Sequence, residues 1–158
     1  MVVAVFIILL LSLATTATMP HSKHIIVYAE DDLDDVHFVK ECFQKYDGKV
    51  EVIHALNGSE ALSALADLHH KGVSPCLIIL DINMPLMDGR QALVKIKGDD
   101  AFKRIPVVMF TTSSSNMDKD FAQKWGADFI TKPLRYVEVE GLAEEFIRRC
   151  DAEVDPEL

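Results

Sequence analysis

Short apolar runs alternate along the chain with longer segments in which apolar residues recur three and four positions apart. The runs at residues 25–29, 50–56, 76–80, 105–110 and 128–131 read as strands, and Pro106 falls near the start of its run, where a missing N–H is tolerated. Between them lie helical patterns. The first carries Val36, Phe38, Val39, Cys42 and Phe43 on one stripe, and the second, residues 59–69, carries Leu62, Leu65, Ala66 and His69. Residues 91–97, closed by Gly98, residues 117–124 and residues 136–150 complete the series. Strict alternation of apolar strands with amphipathic helices predicts an α/β protein, a (βα)5 doubly wound domain with a five-stranded parallel sheet covered on both faces.

The third strand organises the rest. Leu77, Ile78, Ile79 and Leu80 are continuously apolar, as expected of an interior strand, and a carboxylate, Asp81, follows directly. Pro85 and Gly89 then break the chain, so Asp81 opens a loop at the carboxyl end of a buried strand, where open α/β sheets hold their ligands. Asp81 as a plain turn residue is the competing reading.

Composition narrows the partners. With 158 residues the chain suits one domain, and 16 Lys and Arg against 25 Asp and Glu give a net charge of −9, which argues against nucleic acid. The basic pair Arg148–Arg149 falls in the last turn of the final helix, where cations oppose the helix dipole. Three cysteines, Cys42, Cys76 and Cys150, stand far apart and without metal-ligand spacing, which predicts reduced thiols. His37, His69 and His70 likewise lack ligand spacing and read as ordinary helix residues, and Trp125 ends the fourth helix as a natural reporter. Residues 1–22 form an apolar N-terminal segment that precedes a domain at 23–150 and a tail at 151–158. The segment is short for a membrane span and lacks the basic start of a signal peptide. It reads as a misassigned start with Met19 as the true one, as an anchor leaving the domain on the cytoplasmic side, or as a cleaved leader.

Parallel strands deliver their carboxyl ends to one edge. Strand one brings Glu30 and Asp31, strand three Asp81, strand four Thr111 and strand five Lys132. Gathered carboxylates repel one another unless a cation joins them, and an all-oxygen donor set suits Mg2+. Lys132 and the Thr111 hydroxyl would then serve an anion arriving beside Asp81, most simply a phosphoryl group. Each has a plainer reading: the acidic run 30–35 as a helix N-terminus, Thr111 as a cap, Lys132 as a loop residue.

These residues are similar to those of response-regulator receiver domains of two-component signalling, over about residues 23–150. The resemblance rests on the acidic pair Glu30–Asp31, on Asp81, Pro85 and Gly89 in the run Asp-x-x-x-Pro-x-x-x-Gly, on Thr111, and on Lys132–Pro133. Asp34–Asp35–Val36 and the Thr-Thr-Ser run resemble single-domain, chemotaxis-regulator-like members that partner bacterial phytochrome-type kinases. The resemblance implies phosphoryl transfer from a sensor histidine kinase or a phosphotransfer protein to Asp81, in a signalling domain that catalyses only its own phosphorylation and dephosphorylation. It also implies Mg2+ held by Asp31, Asp81 and the Asn83 backbone carbonyl, with Glu30 acting through water. Thr111 and Phe129 would form the switch. The output would pass to a downstream protein or a homodimer through the face of strand four, helix four, strand five and helix five, or the domain would act as a phosphate sink.

Two departures stand out. Phe129 lacks the hydroxyl of the common Tyr, and Thr112 stands where many receivers carry Ala, which would slow the water that removes the phosphoryl group. Two rival functions use similar parts. A flavodoxin-like flavin or nucleotide module would need donors where this chain has acids after strand one. A phosphatase of the haloacid dehalogenase type would place a second Asp at position 83, which is Asn.

Overall fold

A computed structural model describes residues 23–133 and 141–152. Among these residues five strands and five α-helices alternate: β1 (His24–Ala29), α1 (Leu33–Cys42), β2 (Val50–Ala55), α2 (Gly58–His70), β3 (Leu77–Leu80), α3 (Gly89–Gly98), β4 (Val107–Thr111), α4 (Asn116–Lys124), β5 (Asp128–Thr131) and α5 (Leu142–Asp151). All pairings are parallel and the strand order is β2-β1-β3-β4-β5, so the doubly wound sheet expected from the sequence is the one observed. The N-terminal segment 1–22, the first part of the expected last helix and most of the tail lie outside the described residues.

The period of two along each strand divides the core. Val27, Ala29, Ile78, Leu80 and Met109 face Leu65 of α2, Leu93 and Ile96 of α3 and Ala122 of α4. Ile26, Tyr28, Leu77, Ile79 and Phe110 face Val36 and Val39 of α1 and Phe146 of α5. Fully burying each Leu or Ile is worth about 1.5–3 kcal/mol, which is why β3, apolar on both faces, sits at the centre. Caps end the loops cleanly. Asp88 and Gln91 form a capping box that starts α3, and Asn57 accepts from the Glu60 N–H at 3.0 Å to start α2.

Several expectations need correction. Cys76 and Cys150 are joined in a disulfide, and Cys42 is the free thiol, so the reduced set read from the sequence does not hold. Their separation of 74 residues hid a contact that exists because the start of β3 and the end of α5 meet at one edge of the sheet. The inner stripe of α2 is Ala61, Leu65 and Leu68; His69 is exposed, its ring edge-on to Phe102 at 5.9 Å. Thr111 is the last residue of β4 rather than the first of a loop, and Pro106 precedes the strand.

Candidate functional site

The strand order reverses between β1 and β3, and the carboxyl ends of these two strands bracket the site. Ala29 pairs with Leu80 in register, which sets Glu30 and Asp81 side by side, and the Asp81 N–H donates to the Ala29 carbonyl at 3.0 Å. One carboxylate oxygen from each of Glu30, Asp31 and Asp81 lies within 4.8 Å of the others. Glu30 and Asp81 are buried at 2% and 6% exposure, while Asp31 is open to solvent. The cluster therefore has an accessible mouth and a dry floor.

Lys132, 8% exposed, enters from the end of β5. Its backbone N–H donates to the Thr111 carbonyl at 2.8 Å, which continues the β4–β5 ladder by one residue and aims the side chain at the acids. The ammonium donates to Glu30 Oε2 at 2.5 Å and Asp35 Oδ2 at 2.7 Å, and stands 3.6 Å from Asp81 Oδ1. Burial alone would depress this lysine, yet the bonds to Asp35 and Glu30 and the Asp81 charge outweigh it and hold its pKa above the usual value. For Glu30 burial dominates, with the Asp81 charge adding to it, and despite Lys132 its pKa is raised. The surplus of carboxylates over ammonium is what a hard divalent cation would neutralise, and the all-oxygen donor set fits such an ion.

The loop after Asp81 is shaped around that carboxylate. The Asn83 N–H donates to Asp81 Oδ2 at 3.1 Å, fixing the rotamer of the carboxylate and the turn together. Leu86 takes a left-handed φ of 65° to bring the chain back, and the Gly89 N–H then donates to the Ile82 carbonyl at 3.0 Å. A Cβ on Gly89 would lie 2.0 Å from the Asp81 carbonyl oxygen, so only glycine fits eight residues after the acid. The Thr111 hydroxyl is fully buried and accepts from the Ser113 N–H at 3.3 Å. Phe129 is half-buried against the core on the α4 side of the sheet, with the Lys119 ammonium 5.9 Å from its ring centre.

Of the candidates named from the sequence, Glu30, Asp31, Asp81 and Lys132 come together, Thr111 ends β4 with its carbonyl on the Lys132 N–H, and Phe129 lies within β5. The sequence missed three supports. Asp35, in the first turn of α1, is a direct partner of Lys132. Tyr28 donates its hydroxyl to Glu30 Oε2 at 3.1 Å, and His54 contacts the Glu30 backbone carbonyl at 2.8 Å. Tyr28 carried a faint signal, a hydroxyl inside an apolar strand two residues before a buried acid. His54 carried none.

The family model for the response regulator receiver domain matches residues 26–143. The chain belongs to that family. Protein PilG of Pseudomonas aeruginosa is 36% identical over 112 residues, 70% of this chain and 78% of PilG. Among solved structures, the phosphorylated cyanobacterial phytochrome response regulator RcpA superposes with a TM-score of 0.73 at 30% identity, covering 80% of this chain and 95% of that one. The Mn2+-bound form of response regulator Rcp1 gives 0.67 at 29% identity, covering 77% and 92%. This protein is thus a receiver domain of two-component signalling, and the flavin-binding and phosphatase readings are not favoured. No helix among the described residues is long and apolar enough to cross a membrane.

Proposed function

We propose that Asp81 accepts a phosphoryl group from the phosphohistidine of a sensor kinase or phosphotransfer protein. A carboxylate oxygen of Asp81 attacks phosphorus as the phosphorus–nitrogen bond of the donor breaks, and the departing imidazole recovers a proton from water. The observation that carries this reading is the Lys132 ammonium, bound to Glu30 and Asp35 yet only 3.6 Å from Asp81 Oδ1. It is close enough to follow new negative charge without leaving its site.

Asp31, Asp81 and the Asn83 carbonyl would hold Mg2+, with Glu30 acting through water; the ion would neutralise charge on the transferring phosphoryl oxygens. The family likeness to Mn2+-bound Rcp1 supports a divalent ion at this position. Thr111 would turn its hydroxyl from the Ser113 N–H toward the phosphoryl group, and Phe129 would move inward behind it. The altered surface of β4, α4, β5 and α5, where Met117 is exposed, would meet a downstream protein or a second copy. With a kinase donor of this class the domain would work in the cytoplasm, directly or held there by the N-terminal segment.

Intact mass after incubation with acetyl phosphate and Mg2+ tests the proposal. One phosphoryl adduct is expected on the parent, lost with EDTA and lost in Asp81→Asn. An adduct persisting in Asp81→Asn would assign the acceptor elsewhere, and no adduct from either acetyl phosphate or a phosphorylated kinase would overturn the reading.

A further inference from the structure

The opposite edge of the sheet gathers a second set of ligating groups. His24 opens β1, Cys76 stands immediately before β3, and Cys150 lies in the last turn of α5. The strands meet here because the Cys76 N–H donates to the Ile25 carbonyl at 2.9 Å. One imidazole nitrogen of His24 and the two sulfur atoms lie within 4.8 Å of one another. Asp151, the residue after Cys150, brings Oδ1 to 3.4 Å from His24 Nε2. Nothing in the phosphoryl site uses any of the four.

Their burial is graded. Cys150 is fully buried among Leu77 and Phe146, Cys76 and His24 are half-buried, and Asp151 faces solvent. The cluster has a low-dielectric back wall and an open front, and its residues sit at the start of β1, directly before β3 and at the end of α5. Two thiolates, an imidazole and a carboxylate are a borderline-soft set of four, the composition of tetrahedral zinc sites. In the described state the two sulfur atoms are bonded to each other. A receiver domain that works alongside a kinase in a reducing compartment would hold them as thiols for much of its life.

We propose that His24, Cys76, Cys150 and Asp151 form a zinc-class metal site when the disulfide is reduced. A dithiol or phosphine reductant supplies two electrons. The Cys76–Cys150 bond breaks and the two sulfur atoms take up two protons; a dithiol gives up those protons and becomes its disulfide, whereas a phosphine takes the oxygen of one water, whose two protons go to sulfur, and becomes its oxide. Metal entry then forms two sulfur–metal bonds and releases those two protons. Asp151 supplies the fourth ligand from the solvent side. Disulfide and metal are mutually exclusive; the disulfide ties the end of α5 to the start of β3, and the metal would tie it to the starts of both β1 and β3. The C-terminal helix, one wall of the proposed output surface, is thereby clamped in both states and released only in the reduced, metal-free one.

Cobalt is the probe for this site. The full chain is reduced with phosphine under argon, desalted and titrated with Co2+. The expected result is tetrahedral visible bands and near-ultraviolet thiolate-to-cobalt charge transfer that saturate at one equivalent, apart from any Co2+ taken by the all-oxygen cluster at Asp81, both displaced by Zn2+. The unreduced protein should show neither. Cys76→Ser and Cys150→Ser should each lose the charge-transfer band, His24→Ala should weaken binding at least about tenfold, and Asp81→Asn and Cys42→Ser should leave the band intact. Native mass spectrometry of the unmutated protein gives the same answer without relying on variants that fold poorly: the reduced form should carry one zinc, less two protons, more than the oxidised form, whose own metal is confined to the acidic cluster at Asp81. Absence of the charge-transfer band in reduced parent, or its survival in Cys150→Ser, would overturn the proposal.

Discussion

Two buried ionic groups sit within the same half of the molecule and differ in kind. Around Asp118 the account is closed: this carboxylate on α4 takes the Arg90 side chain of α3 and the Ser113 hydroxyl at 2.6 Å, and little negative charge is left over. The Ser113 bond first, then Arg90, hold its pKa below the ordinary carboxylate range against the effect of burial. Around Lys132 the account is open, with Glu30, Asp35 and Asp81 converging on one ammonium and Asp31 at the mouth. There burial wins at Glu30, whose pKa is raised. A satisfied pair fastens α3 to α4, whereas the acid surplus is where the proposed cation and phosphoryl group would be received. Burial of charge alone does not mark a site; unbalanced burial does.

The largest break in that comparison should come from Lys132→Met. Loss of the ammonium leaves Glu30 buried without its partner, and phosphoryl uptake by intact mass should fall at least about a hundredfold, the scale for removing one charge-stabilising donor. Stability in urea should drop by about 3 kcal/mol. Gly89→Ala comes next, because its Cβ would strike the Asp81 carbonyl; a loss of about 3 kcal/mol and displaced uptake kinetics are expected. Asp118→Ala should cost about 2 kcal/mol of stability in the same denaturation assay while leaving the uptake rate within about threefold, since it breaks a fastening and not the acceptor.

Acid and base separate the two groups further. Asp118 has a depressed native pKa, so the unfolded chain binds the proton more readily. Its contribution is complete above the ordinary Asp range near about 4 and is lost as pH falls through the native value. Lys132 has a raised native pKa, so its contribution is complete below the ordinary Lys range near about 10.4 and is lost as pH rises through the native value. Denaturation midpoints should therefore show the gap between parent and Asp118→Asn closing in acid, and the gap between parent and Lys132→Met closing in base. The smallest effect is expected from Thr112→Ala. Thr112 is exposed beside Thr111, and trimming it should shorten the phosphoryl lifetime a few-fold, roughly 1 kcal/mol. An unchanged lifetime would remove Thr112 from the list of residues that control water.

How much of this was legible in the chain varies with the range of the interaction. Continuous apolar runs such as 77–80 announced interior strands, and their alternation with helical stripes led to the parallel sheet that is observed. From that came the convergence of Glu30, Asp31, Asp81, Thr111 and Lys132, because parallel strands deliver all their carboxyl ends to one edge. Gly89 was legible as a break, though its reason, close approach to the Asp81 carbonyl, was not. Asp35 looked like one acid in a solvated helix start, and nothing local pointed it at a lysine 97 residues away. His69 seemed part of a core stripe because periodicity gives a face without saying which edge of it meets the sheet.

What the sequence by itself determined is the part governed by local period and strand polarity: the element order, the parallel sheet and the acidic edge. What only the tertiary structure decided is the company each side chain keeps across the sheet. Asp35 on Lys132, Arg90 on Asp118, and Cys76 joined to Cys150 beside His24 all link elements far apart in the chain. Their proximity follows from how helices settle on the sheet, a result of summed packing that no single spacing encodes.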